Sequence, residues 1–176
     1  MARWRGVRGS ASDRGAAAVE FALVVPVLFM LIFGIVDYGR FFFDSISLRQ
    51  GAREGARQAV VQLYPGMVRG TVTPCGSWPT TGEKIACSTK AASDSTIGTP
   101  LVYIPAITAV GGWKQGNQLL VCMQSKEQGT GFVPFPANGI LKSKVYMSIE
   151  KGTSTDYTYN SDNTLLPLGS DWSWCL

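Results

Sequence analysis

The segment 16–36 constrains the fold of this chain more than any other feature, because it is almost free of charge. It reads AAAVEFALVVPVLFMLIFGIV, and Glu20 is its one ionisable residue. As a helix that rises about 1.5 Å per residue, the segment would span about 31 Å, which matches the hydrocarbon core of a bilayer. We therefore predict a transmembrane helix over residues 16–36.

The residues before this helix predict its orientation. Arginine dominates them, with Arg3, Arg5, Arg8 and Arg14 opposed by Asp13. By the positive-inside rule, the N-terminus lies in the cytoplasm and the C-terminal part lies outside. A signal peptidase would need small residues at alternating positions after the apolar run, but residues 34–38 are mostly bulky. We therefore expect the helix to remain attached as a membrane anchor.

Charge and composition argue against several classes of function. The formal net charge of +4 comes mostly from the leader, and no other basic stripe interleaved with aromatic residues predicts a nucleic-acid partner. The chain has no histidine, the commonest general base and metal ligand. The S-x-x-K match at residues 148–151 falls in a predicted strand, where residues three apart point to opposite faces. We therefore expect no enzymatic activity, no metal and no cofactor.

The cysteines all follow the hydrophobic segment. They are Cys75, Cys87, Cys122 and Cys175. An even number on the outer side of a membrane predicts two disulfides, although the sequence does not separate their alternative pairings. Zinc is a weaker alternative because no pair has C-x-x-C spacing, and free thiols are the remaining one.

Two residues of the apolar helix are unusual in a membrane anchor. An intramembrane carboxylate such as that of Glu20 costs about 2.5 kcal/mol or more near the bilayer centre, so it needs a partner or a shallow position near the headgroups. Pro26 removes a backbone donor, and this predicts a kink.

The residues around Glu20 favour a partner. Glu20 is the fifth residue counted from Ala16, and Gly15 precedes Ala16 at the end of the basic leader. This arrangement resembles the processing signature of type IV pilin-like proteins, which implies that a prepilin peptidase cuts between Gly15 and Ala16. The new ammonium group at Ala16 would then neutralise Glu20 of an adjacent subunit.

The helical pattern continues beyond the membrane as a stem over residues 37–63. Small residues recur four apart, and they are Gly51, Gly55 and Ala59, with Ala52 and Ala56 beside them. Such a stripe allows another helix to approach closely, either in a neighbouring subunit or in the chain's own domain. Arg49, Arg53 and Arg57 form a separate stripe that is typical of a solvent-exposed or phosphate-facing side. We expect the helix to end at Tyr64-Pro65-Gly66.

The first third of the chain resembles the TadE-like family. The resemblance is carried by the run from Gly15 to Leu28, by Asp37-Tyr38-Gly39-Arg40, and by residues 52–57 (AREGAR). It implies a minor pilin or pseudopilin of the bacterial tight-adherence pilus apparatus. The partners that it implies are membrane lipid, the prepilin peptidase, other pilin-like subunits and pilus assembly proteins.

After Pro65 the pattern changes to short β segments separated by Gly, Pro and Ser. We predict strands at 117–124 and 144–150, a strand or short helix at 101–110, and a loosely alternating segment at 68–73. A looser resemblance to the tail of TadE-like domains covers 132–143 and the closing strand. A disulfide from Cys175 would hold the C-terminal tail, in which Trp172 and Trp174 either form an adhesive surface or pack under the domain.

Together these features predict an α+β chain with a long N-terminal transmembrane and stem helix and a small β-rich extracytoplasmic domain. Its parts are a basic cytoplasmic leader (1–15), a transmembrane helix (16–36), a helical stem (37–63) and a β-rich domain with a tail (64–176). The favoured function is a pilin-like structural or assembly subunit of a tight-adherence-type pilus in the bacterial cell membrane, with the surface pilus as a second location. The alternative is an unprocessed single-pass protein that displays a ligand-binding or adhesive domain.

Overall fold

The computed structural model describes residues 11–68, 72–93, 100–106, 112–127, 129, 131, 134–160 and 172–176. Most of the predicted leader lies outside this range. So do parts of the segments predicted at 68–73, 101–110 and 132–143.

A single long helix, α1 (Ala11–Val61), dominates the structure. Its 51 residues correspond to about 76 Å at 1.5 Å per residue. The helix continues through Pro26, and the turn at its C-terminus comes earlier than the sequence predicted. Gln62 adopts a left-handed conformation with φ 55°, and Leu63 N–H donates to the carbonyl of Gln58 at 3.0 Å. This bond closes a Schellman-type turn, so the helix ends before Tyr64 and Pro65 are reached.

A second helix, α2 (Thr81–Ala92), stands where the sequence predicted only short β segments. A short 3₁₀ turn at Cys75–Ser77 precedes it. Thr80 and Glu83 form a capping box, in which Glu83 N–H donates to Thr80 Oγ1 and Thr80 N–H donates to Glu83 Oε2, both at 3.1 Å. The helix differs from the expected β segments because the T-x-x-E pattern at Thr80–Glu83 is a helix start signal.

Four strands form one antiparallel sheet in the order β3-β2-β1-β4. They are β1 (Leu101–Ile104), β2 (Gln118–Lys126), β3 (Ile140–Ser148) and β4 (Tyr159–Asn160). The strands predicted at 117–124 and 144–150 correspond to β2 and the second half of β3. β3 begins earlier than predicted, at Ile140, where it pairs with Lys126.

The core lies between the two helices and one face of the sheet. Alternate residues of β1, β2 and β3 point toward the helices, because side chains alternate along a strand. The buried contributors include Leu48, Ala52 and Ala56 of α1, Ile85 of α2, Val102 of β1, and Leu119, Val121 and Met123 of β2. The predicted α+β class, a long apolar helix followed by a small sheet domain, is confirmed.

On the opposite face of the sheet lie residues 172–176 at the C-terminus. Cys122 in the centre of β2 is joined to Cys175, and Trp172 packs beside this disulfide. The other disulfide, Cys75–Cys87, ties the 3₁₀ turn to α2. Both predicted disulfides are therefore present, and each joins two cysteines that are consecutive along the chain.

Candidate functional site

The apolar part of α1 is exposed along its length. Large apolar side chains from Val19 to Val36 are exposed, and Leu23 and Ile35 are more than 70% exposed. Within the part of the chain that the structure describes, α1 is the one helix long and apolar enough to cross a membrane, and none of its apolar window is buried. A surface this large and apolar is stable only when lipid or another protein covers it. It fits a membrane-anchored protein.

The residues that the sequence singled out for processing and assembly lie on this part of α1. Gly15, Ala16, Glu20 and Pro26 are all exposed. A Cβ atom built on Gly15 would meet nothing within 4 Å. These positions are thus accessible to a partner, and no tertiary contact of the domain depends on Gly15.

The small-residue stripe of the stem packs against α2 of the same chain. Gly51 and Gly55 lie so close to α2 that a Cβ at Gly51 would be 2.6 Å from Ser93 Cβ, and one at Gly55 would collide with the Thr89 side chain. Ala52, Ala56 and Ala59 are fully buried in the core beside them. Of the two alternatives for this stripe, the structure places it within the domain, where it allows α1 and α2 to approach closely.

The arginine stripe lies on the other side of the stem. Arg49, Arg53 and Arg57 are exposed. Arg57 donates to Glu54 at 3.0 Å through Nε, and this hydrogen bond holds the pKa of Glu54 below its ordinary value. Exposed ion pairs of this type contribute little to stability, so the stripe is a basic surface rather than a structural element.

A loop of the domain contacts the stem just beyond the apolar segment. We call this contact the junction and define it as residues 37–44 of α1 together with residues 127–139 between β2 and β3, so far as they are described. The Phe135 ring stacks on Phe41, with centroids 5.2 Å apart, and meets the Tyr38 ring edge-on at 5.9 Å. Tyr38 Oη also donates a hydrogen bond to the Pro134 carbonyl at 3.2 Å.

Acidic side chains lie beneath this aromatic contact. Asp37, Asp44 and Glu127 are 2%, 1% and 5% exposed, which is unusual for carboxyl groups. A Cβ at Gly129 would lie 3.4 Å from Asp37 Oδ2, so the loop passes directly over the first of these acids. Burial and, to a smaller extent, the neighbouring Asp44 together raise the pKa of Glu127 to about 7, against the opposite effects of Arg40 and Ser125.

The sequence did not single out the junction. The sequence predicts no role for Asp44 or Glu127, and Asp37 enters only through the run 37–40 that carries the family resemblance. The spacing of Asp37, Phe41 and Asp44 on one helical face was a signal, because residues three and four apart lie together. The contact with Glu127 could not have been found this way, since it joins distant parts of the chain.

The tail tryptophans pack onto the sheet. Trp172 is 7% exposed and stacks on Tyr103 at 5.2 Å, and its ring is 5.9 Å from that of Trp174. Lys142 Nζ lies 5.3 Å from the centre of the Trp174 ring. Of the two alternatives for these residues, the structure supports packing under the domain. Among the described residues there is also no group of three or more acidic, Cys or His side chains that could hold a metal ion.

Comparison with known proteins gives one match. Residues 15–57 match the family described as TadE-like protein, and no curated protein and no solved structure matches the chain. The matched range begins at Gly15 and includes the exposed apolar part of α1, the stem acids Asp37 and Asp44, and the small-residue stripe up to Arg57. It suggests association with pilus components. The resemblance seen in the sequence is confirmed over this range: from residue 15 to residue 57, the chain is similar to the TadE-like protein family.

Proposed function

We propose that this chain is a pilin-like structural subunit of a tight-adherence-type pilus, processed by a prepilin peptidase and held in the cell membrane by α1. The observation that carries the proposal is the position of the TadE-like match. It begins at Gly15, the residue after which cleavage is expected, and it covers the exposed apolar helix that follows. The role is one of assembly and requires no catalysis.

The proposed topology places the N-terminus in the cytoplasm and the domain outside. Arginines before the helix support this orientation through the positive-inside rule. The two disulfides support it independently, because both lie in the domain and disulfides persist in oxidising compartments. The orientation could be tested by accessibility of an engineered tag at each terminus in intact cells.

The proposed assembly step uses the new N-terminus. Removal of residues 1–15 would leave an ammonium group on Ala16, four residues before the carboxylate of Glu20. Within one subunit these groups lie about one helical turn apart, and in a packed array the ammonium group can also reach Glu20 of a neighbour. An ion pair in lipid removes much of the cost of the buried carboxylate, so it favours subunits that are in register.

The alternative, an unprocessed single-pass protein with a ligand-binding domain, has less support. The most obvious candidate for a binding surface was the tryptophan pair of the tail, and Trp172 is buried against Tyr103. The processed subunit is therefore the preferred function.

A complementation experiment tests the role in pilus production. A strain that lacks this chain would receive the wild type, Glu20→Gln, or Asp156→Asn as a control on the exposed surface of the domain. We expect the wild type and the control to restore surface pili, as counted by electron microscopy and by the pilin released on shearing, and Glu20→Gln to restore few. Normal piliation of the strain without the chain would contradict the proposed function.

A further inference from the structure

Asp44 is the most deeply buried acidic group of the junction. It shares one helical face with Asp37 and Phe41, which lie seven and three residues before it. Asp44 is 1% exposed, and neither of its carboxyl oxygens has a hydrogen-bond partner among the described residues. A buried ionised carboxylate without a donor is strongly unfavourable, so this side chain requires a proton, a cation or another donor.

Glu127 faces Asp44 from the domain. It follows β2 directly, is 5% exposed, and its backbone N–H donates to the Gly139 carbonyl at 2.8 Å. Its carboxyl group lies within hydrogen-bonding reach of Asp44, although its Oε1 atom has no donor among the described residues. Two ionised carboxylates are both acceptors, so a hydrogen bond between them forms only when one of them carries a proton.

The other charged and polar groups around the pair do not replace that proton. Arg40 is exposed, and its charge lowers the pKa of Glu127 less than burial and Asp44 raise it. The Ser125 hydroxyl acts in the same direction as Arg40 and is also the smaller effect. Asp37, the third acid of the junction, lies on the same face of α1 and against Gly129. Neither the stem nor the loop therefore supplies a cation buried beside the two carboxyl groups, within the part of the chain that is described.

We propose that Asp44 and Glu127 share one proton, and that this shared proton latches the described part of the loop between β2 and β3 (Glu127, Gly129 and residues 134–139) onto the stem helix just outside the membrane. Loss of the proton leaves two negative charges in a buried site, where they repel each other and draw in water. The loop then loosens, and the Phe135 ring leaves Phe41 and Tyr38. The latch links the hold of the loop on the stem to the pH of the compartment that holds the domain.

The sign of the effect follows from the pKa of Glu127, which is raised from 4.5 in the unfolded chain to about 7 in the folded protein. The folded state binds the proton more tightly, so the contribution to stability is fully present below pH 4.5 and is lost as the pH rises through about 7. A carboxylate stabilised by an ion pair would show the opposite dependence.

The test uses the full chain in detergent micelles between pH 5 and pH 9. The variants are Glu127→Gln, whose amide can donate to Asp44 without a proton, Asp44→Asn, and Glu150→Gln as a control at an exposed position near the end of β3. The measurements are the melting temperature and the hydrogen exchange of residues 134–139, corrected for the intrinsic effect of pH. An infrared difference spectrum of wild type against Glu127→Gln reports the carbonyl stretch of a protonated carboxyl group at neutral pH.

For the wild type and Glu150→Gln we expect the melting temperature to fall by about 5 °C as the pH rises, with faster exchange in the loop. Both should be nearly independent of pH in Glu127→Gln. In Asp44→Asn the dependence should be weaker than in the wild type, because burial alone still raises the pKa of Glu127. The proposal would be overturned by a wild type without this slope, by the same slope in Glu127→Gln, or by the absence of a protonated carboxyl signal. Calcium that restores the loop at pH 9 would also overturn it, because the pair would then hold a cation. If either neutral variant fails to fold, the infrared signal of the wild type at pH 6 and pH 9 decides alone.

Discussion

Gly55 of α1 lies directly against Thr89 of α2, at a distance that leaves no room for a side chain on the glycine. Thr89 is itself fully buried and donates through Oγ1 to the carbonyl of Ile85, so it cannot move aside without losing that hydrogen bond. The approach of the two helices therefore depends on the absence of a Cβ atom at position 55.

The first prediction follows from this contact. Replacing Gly55 with Ala should destabilise the domain by about 1–3 kcal/mol, because overpacking in a close-packed core outweighs the better helix propensity of alanine. Gly39→Ala is the matched control, since it lies on the same helix with nothing within 4 Å of its Cβ position, and it should be neutral or stabilising by up to about 1 kcal/mol. Urea unfolding of the two variants in micelles provides the comparison, and equal effects would show that the helices are not packed as described.

The second prediction concerns the aromatic contact at the junction. Phe135→Ala removes the ring that stacks on Phe41 and should cost about 1–3 kcal/mol, less than a fully buried phenylalanine, because Phe135 is half-buried. It should also raise hydrogen exchange in residues 134–139 while α2 remains protected. Phe42→Ala is the control, as its ring is 61% exposed, and it should leave the loop unchanged. An unaltered loop in Phe135→Ala would mean that the aromatic contact does not hold the junction.

The third prediction separates the two disulfides. Replacing Cys122 and Cys175 with serine together should release the tail, because this bridge joins β2 to a segment 53 residues away. Tryptophan fluorescence should then shift toward that of exposed indole, and limited proteolysis should remove the C-terminus. The matched control is the double serine variant of Cys75 and Cys87, which are 12 residues apart and hold the start of α2. If the tail stays bound in the first variant, Trp172 packing alone is enough to hold it on the sheet.

The sequence predicted most of what is determined locally. The uncharged run at 16–36 has the length and composition of a membrane span, and α1 continues through it. In β3 the alternation was also sufficient, because Tyr146 is 51% exposed, Val145 and Met147 pack against the core, and Ile149 just beyond the strand is buried. The Thr80–Glu83 capping box is a local signal for α2. The Ser, Thr and Gly residues within and around this helix instead favour turns and strands.

The junction required the tertiary structure. Asp44 and Glu127 are adjacent only because β2 ends beside the stem, and no periodicity within either segment predicts which residue the other one meets. The same reason applies to Gly51 and Gly55. Their spacing predicted close helix packing, but whether the second helix belonged to this chain or to another depended on the existence of α2.

The central claim is that α1 is a processed assembly helix, and the mass of the protein in its own cells tests this most directly. The full chain would be extracted from membranes of bacteria that contain the prepilin peptidase, together with the variants Gly15→Leu and Gly9→Leu. Intact-mass measurement and N-terminal sequencing give the first residue of each. We predict a mature chain that begins at Ala16 for the wild type and for Gly9→Leu, and a chain that retains its leader for Gly15→Leu. A wild-type chain that retains residues 1–15 in those cells would contradict the account.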